Sequence, residues 1–407
     1  AGDTKQLASV EAGRAFGQLQ EHGMQTAKLD DIVRQTNEAT RGAVYDVLSG
    51  KAAEALDKIA NGGGRVIELA NPAGANGKQD REAGADMRRT AAAAAYLEKS
   101  PEDRANTVVL DPTKAGRDAL TEKIRDGLKS EGTLRGPEVQ QTTLEGRGLT
   151  IAAAKQPGSY RVGDQVAFGK DYQDKGVSQG EFYKVQHVDT QTRTVVIQAQ
   201  DGRNIEWKPE QWGGSKAQAY EAKQRGLAVG DQIRFTQKDQ VRGVQNGDRA
   251  VVTGINQEKG TFTVQTKEGR AFELNSSSAH DQHWRHSYVD TAHALQGETA
   301  RSAIVVAESD RLNTVNREMA YVGASRATTE VQIVTDNASK LADAINNRSG
   351  VKASALDAQS QNGREAGAGM MGERERYETK SMEAGRAENP GSNFKSALEA
   401  ARERPDN

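Results

Sequence analysis

The strongest constraint on the fold is the order of features across residues 286–328, HSYVDTAHALQGETARSAIVVAESDRLNTVNREMAYVGASRAT. A polar loop holding Thr291, His293, Gln296 and Gly297 leads into the apolar run 303–307. A helix expected from Val315 ends at Arg326, just ahead of a second β-rich run at 331–335. Loop, buried strand, helix, arginine and strand are the grammar of an α/β sheet with functional residues at strand ends. The arginine is a candidate phosphate contact, because a guanidinium fork matches phosphate oxygens.

Bulk properties narrow the class. A length of 407 residues allows two or three domains, and 35% hydrophobic with 5% aromatic residues gives lean cores. Cysteine is absent, which excludes disulfides and Cys-ligated zinc and suits a reducing, cytoplasmic location. No apolar run reaches the roughly eighteen residues of a membrane span, so no membrane insertion is expected. The net charge of −2 means that any nucleic acid is met by a local groove, not a general positive field.

In the first third, Gly2 and Asp3 favour a turn, and Gln6 follows with an amide able to donate and accept at a phosphate. Helical spacing around a turn marks residues 26–50, which include Arg34 and Gln35. Gly62, Gly63 and Gly64 break the chain, yet no Gly-Lys-Ser/Thr follows, so they form no P-loop. A short strand at 65–69, an alanine-rich helix at 80–99 halted by Pro101, and a strand at 107–110 come next. Residues 117–128 are amphipathic, with Leu120, Ile124 and Leu128 on one face. Thr113 either caps this helix or holds a DNA phosphate. Residues 132–158 read as a linker.

An internal repeat follows. YRVGDQVAF at 160–168 returns as LAVGDQIRF at 227–235, and each copy continues into Gly-x-x-x-x-Val and a hairpin. Period-two alternation with Asp-Gly or Glu-Gly turns predicts two small β-barrels of the Src-homology kind. Trp207 and Trp212 either stack on bases or fill the barrel core. His280, His283 and His286 are spaced by three, but one helix face rarely closes a tetrahedral site, so no metal site is assigned.

Residues 291–297, Thr-x-His-x-x-Gln-Gly, and 321–326, YVGASR, resemble motifs V and VI of the RecD-like branch of superfamily-one helicases. GDTKQL at 2–7 resembles motif III, and GDTKQLASVEAGRAF at 2–16 is closer still to the helicase half of TraI/TrwC-type conjugative relaxases. Gly323 stands where the family usually has Ala. Walker A and B are not in this sequence and are expected upstream of Ala1. The resemblance implies a C-terminal part of a conjugative relaxase–helicase, starting at motif III. It implies an α/β second RecA-like (P-loop NTPase-type) lobe, interrupted by the two Src-homology-like barrels and followed by a disordered tail. The expected divisions are 1–25 for the end of the first lobe, 26–135 and 279–350 for the second, 136–278 for the insertion (repeats at 160–208 and 227–275), and 351–407 for the tail.

The same resemblance implies roles. Gln6, Arg34 and Arg326 are the catalytic set and contact ATP, with Gly297 and Glu298 also on the nucleotide side. Thr113, Arg125, Thr291, His293 and Gln296 hold single-stranded DNA. ATP and Mg2+ are the cofactors, with the metal ligands expected in the missing first lobe. Partners are that lobe, single-stranded DNA, relaxosome proteins and the type IV secretion coupling protein. The intact protein is expected to be a 5′→3′ DNA helicase, and this segment alone is expected to be inactive. Two alternatives stand: a vestigial, non-catalytic copy that binds DNA or is recognised by the secretion channel, and a RecD-like repair helicase.

Overall fold

The computed structural model describes residues 18–20, 23–26, 31–74 and 78–350. Gln6 and the expected tail at 351–407 lie outside them. The α/β body opens with helices α1 (Glu38–Leu48) and α2 (Ala52–Lys58) and strand β1 (Gly64–Glu68). Helix α3 (Arg81–Leu97), short helix α4 (Pro101–Ala105), strand β2 (Thr107–Leu110) and helix α5 (Lys114–Ser130) follow. Pro101 therefore starts a helix after ending one. Its fixed φ suits a first turn, and the Ser100 side chain caps that turn.

The inserted segment supplies β3 (Arg135–Gly146), α6 (Ile151–Ala154), β4 (Gln165–Phe168), β5 (Phe182–Asp189), β6 (Thr194–Gln198), β7 (Asn204–Trp207) and β8 (Ala217–Val229). It continues with β9 (Gln232–Phe235), β10 (Arg249–Asn256), β11 (Thr261–Thr266), β12 (Ala271–Asn275) and β13 (Trp284–His286). The chain then returns to the body through β14 (Ala300–Val306), α7 (Arg317–Arg326), β15 (Ala327–Thr335) and α8 (Ala338–Asn347).

The body is a four-stranded parallel sheet in the order β1-β15-β14-β2. Parallel strands covered on both faces need near-continuous apolar runs, which Ala303–Val306 and Val331–Val334 approach, Gln332 being the one polar interruption. One face packs on α1, α2, α7 and α8 through Val47, Leu56, Met319, Val322, Leu341 and Ile345. The other packs on α3 and α5 through Ala92, Tyr96, Leu120, Ile124 and Leu128. Gly64 enters β1 so close to β15 that a Cβ there would stand 1.9 Å from the Val331 carbonyl oxygen. No described helix is long and apolar enough to cross a membrane.

The insertion forms two antiparallel sheets, β3-β8-β4-β5-β6-β7 and β12-β11-β10-β9-β13. Each has its own apolar core, and their ladders run in open order from edge to edge. The expected linker is different: β3 pairs with β8 from Val139↔Leu227 to Gly146↔Tyr220, making a ribbon that carries the first sheet. Its sequence, RGPEVQQTTLEG, is mostly polar because much of it faces water. The partner of its ladder, β8, lies some eighty residues away in sequence, as Thr143 and Lys223 show.

Candidate functional site

Residues 34–40 are laid along the start of β15, ahead of and into α1. Arg34 Nη1 donates to the Ser325 carbonyl at 2.8 Å. Gln35 Nε2 donates to Ser325 O at 3.1 Å and to Ala327 O at 2.7 Å. The Thr36 amide reaches Thr328 O at 2.8 Å, and Thr40 Oγ1 reaches Thr329 O at 2.9 Å. This stitching fixes the junction where α7 ends and β15 begins, which is the place of Arg326.

Arg326 is 1% exposed. Its Nε donates to Val322 O at 3.2 Å, Nη1 to Glu298 O at 3.2 Å and Nη2 to Ser325 Oγ at 2.9 Å. Arg34 and Arg326 thus meet at Ser325, although 291 residues separate Arg34 from it. Arg34 is half-buried, and the rest of its fork has no partner among the described residues. Arg34 therefore has donors to spare, whereas the Arg326 fork is spent on acceptors within the protein.

The loop between β13 and β14 is built with two sides. Ala292 and Leu295 are buried in the core, while His293, Gln296 and Gly297 are exposed and Thr291 is half-buried. The Thr291 carbonyl accepts from the Ala294 and Leu295 amides, which makes the loop a tight turn. Gly297 has φ +86 and open space around it, so the chain turns there where a side chain would be strained. His293 and Gln296 are therefore open to solvent on one side of the loop, with Thr291 partly so.

Other expected site residues sit elsewhere. Arg125 is buried and forks onto Asp231, Nε to Oδ1 and Nη2 to Oδ2, both at 2.9 Å. Its Nη1 is taken by Glu122 and Glu138 at 3.0 Å each. Burial works against its charge, but the Asp231 fork outweighs this and raises the pKa further. The geometry gives it a structural role and no opening to a phosphate. Thr113 caps α5, accepting from the Gly116 amide at 2.9 Å and donating to Asp111 Oδ1 at 2.9 Å. Trp207 is fully buried, edge-on to Tyr160 and Phe168, with Nε1 donating to Trp212 O at 2.8 Å. Half-buried Trp212 packs on Phe168. Both tryptophans therefore serve the core of the first sheet.

Glu298, expected toward the nucleotide, is held by Arg234 and by Arg249, whose Nη2 lies 2.7 Å from Oε2. The same two arginines reach Asp290 Oδ2 at 2.8 and 3.0 Å, and Arg285 binds the other oxygen. Burial pushes the Asp290 carboxyl up, but Arg285, Arg234 and Arg249 outweigh it and hold it below the usual range. None of Arg234, Arg249, Arg285 or Asp290 stands out in the sequence. Among the described residues no group of three acidic or histidine side chains gathers to hold a metal.

Comparison with known proteins gives this arrangement a context. Residues 1–71 match the family model described as an AAA domain, and residues 232–335 match the viral superfamily 1 RNA helicase core domain. The multifunctional conjugation protein TraI of Escherichia coli strain K12 is 24% identical over 375 residues, 85% of this chain and 21% of that protein. A second Escherichia coli TraI is 22% identical over 373 residues, with the same coverage. The chain is thus similar to the conjugation protein TraI over most of its own length. It spans about a fifth of the length of these curated relatives. Among solved structures, Bacteroides Pif1 bound to ssDNA aligns at 14% identity and TM-score 0.36, covering 83% of this chain and 61% of that one. Candida albicans Pif1 helicase aligns at 15% and 0.33, covering 90% and 67%.

Proposed function

We propose that this TraI-like chain supplies the second motor lobe of an ATP-dependent 5′→3′ DNA helicase acting in conjugative transfer. The α/β body is that lobe, and the two antiparallel sheets from β3 to β13 are its insertion, which takes in β13 beyond the expected end at 278. The observation that carries the reading is the meeting of Arg34, Gln35 and Arg326 at Ser325. Bound ATP would supply the phosphoryl bond whose cleavage drives each step, with Mg2+ ligands and Gln6 coming from the first lobe. Arg34 and Arg326 would offset charge developing on the γ-phosphoryl oxygens. Thr291, His293 and Gln296 would hold single-stranded DNA on the outer side of their loop. Relaxosome proteins and the secretion coupling protein are the partners this role calls for.

In the full-length protein, Arg326→Ala should lower the ATPase kcat by about 10³-fold. A near-parental rate would remove Arg326 from the chemistry. A second reading, a non-catalytic copy that binds DNA or is recognised for secretion, is favoured by the burial of Arg326 among protein acceptors. Parental protein that binds single-stranded DNA without ATP turnover would select it.

A further inference from the structure

The two repeats differ at one place in a way that the fold does not require. On β10, β9 and β13, Arg249 faces Arg234, and Arg234 faces Arg285. Three guanidinium groups therefore line up across adjacent strands on one face. Residues directly opposite in an antiparallel pair lie about 5 Å apart, and like charges there are destabilising. In the first repeat the matching positions are Ala167 and Phe182, which face each other in the same register and pack with Leu144 and Tyr220. A sheet of this design thus folds with apolar residues there, and the arginine row has another purpose.

What covers the row is the loop between β13 and β14. Asp290 and Glu298 flank its outward residues Thr291, His293 and Gln296, and both carboxylates are laid over Arg234 and Arg249. One pair of arginines on the inserted sheet therefore ties both ends of the loop. Glu298 also accepts from Arg326 Nη1 through its backbone carbonyl at 3.2 Å. A single residue joins the arginine at the α7 terminus to the inserted sheet.

We propose that Arg234 and Arg249 are positioning residues that hold the Thr291–His293–Gln296 loop in register with Arg326, making the second inserted sheet a working part of the linkage between nucleotide and DNA strand. The linkage rests on the motor reading above; the hold on the loop does not. Arg285 and the Val109 carbonyl also hold Asp290, but at the Glu298 end these two forks are the side-chain hold beside the Arg326 contact.

The test uses full-length protein with Arg249→Met and, separately, Glu298→Gln, which keeps the backbone carbonyl and the side-chain shape. Hydrogen exchange at residues 291–298 should rise about tenfold in each variant, with β14 still protected. The ratio of ATP turnover with and without single-stranded DNA should fall about tenfold. Parental exchange at 291–298 in both variants overturns the positioning role, whatever the turnover. Raised exchange with a parental stimulation ratio overturns the linkage. A parental protein without ATP turnover overturns the motor reading instead, and exchange alone then decides the hold. If Arg249→Met does not fold, Glu298→Gln carries both readouts.

Discussion

Arg125 and Asp231 form a fully buried, two-pronged ion pair between helix α5 of the α/β body and the β8–β9 turn of the insertion, 106 residues apart in sequence. Asp231 also accepts from the Ala228 amide at 2.8 Å and from the Tyr288 hydroxyl at 3.1 Å, so every partner is satisfied within the protein. The equivalent residue of the first repeat, Asp164, also takes a guanidinium, through one nitrogen: Arg147 Nη1 donates to Oδ1 at 3.0 Å and to Oδ2 at 3.1 Å. The aspartate of Val-Gly-Asp-Gln is thus an arginine socket in both copies. In the second copy the socket docks the insertion onto the body.

Removing one member leaves a buried charge without its counterpart. Arg125→Met or Asp231→Asn should each cost about 3–5 kcal/mol. The loss is read as a lowered unfolding midpoint of the full-length protein. The salt dependence of single-stranded DNA binding should stay parental for Arg125→Met, because no phosphate reaches this side chain. A shallower salt slope would restore Arg125 as a DNA contact.

Acid should weaken the junction between the sheets and the body. Burial lowers the His286 pKa to about 3, with Arg125 and Arg225 adding to the effect and Asp231 opposing it. Burial and then His280 lower that of His283 to about 4. The unfolded chain protonates near 6.5. Between that value and the folded pKa values the unfolded state binds more protons, so stability falls as pH drops. The slope is up to about 1.4 kcal/mol per pH unit for each histidine. Stability measured from pH 7 to 4 should show this slope, and His286→Leu should flatten it. A parental slope in that variant would reject the assignment.

The outward side of the 291–297 loop predicts a different pattern. His293→Ala and Thr291→Val should weaken single-stranded DNA binding while leaving the unfolding midpoint near parental, since His293 is exposed and Thr291 only half-buried. Leu295→Ala, on the buried side, should cost about 2–5 kcal/mol. Equal effects of all three on stability would contradict the two-sided loop.

Trp207→Ala should cost about 3–5 kcal/mol, because it empties the centre of the first sheet's core. Trp207→Phe should cost less. Thr113→Ala should cost about 1 kcal/mol for the lost cap of α5. A selective loss of DNA affinity in either Trp207→Phe or Thr113→Ala, with parental stability, would return that residue to the strand-binding surface.

Local pattern in the sequence was enough for β2, β14, β15 and the apolar face of α5. Periodicity of two or 3.6 residues is a property of neighbours along the chain, and the sheet only had to accept it. The repeat with its paired hairpins was legible in the same way. Tertiary structure alone decided the rest: the polar strand β3 that needs β8 to exist, Arg125 in its socket, Thr113 as a cap, and the row Arg249–Arg234–Arg285 under Asp290 and Glu298. An arginine facing water and one facing a buried carboxylate are written with the same letter. For Arg125 what separates them is a carboxylate 106 residues away, and that distance is closed only when the sheets fold.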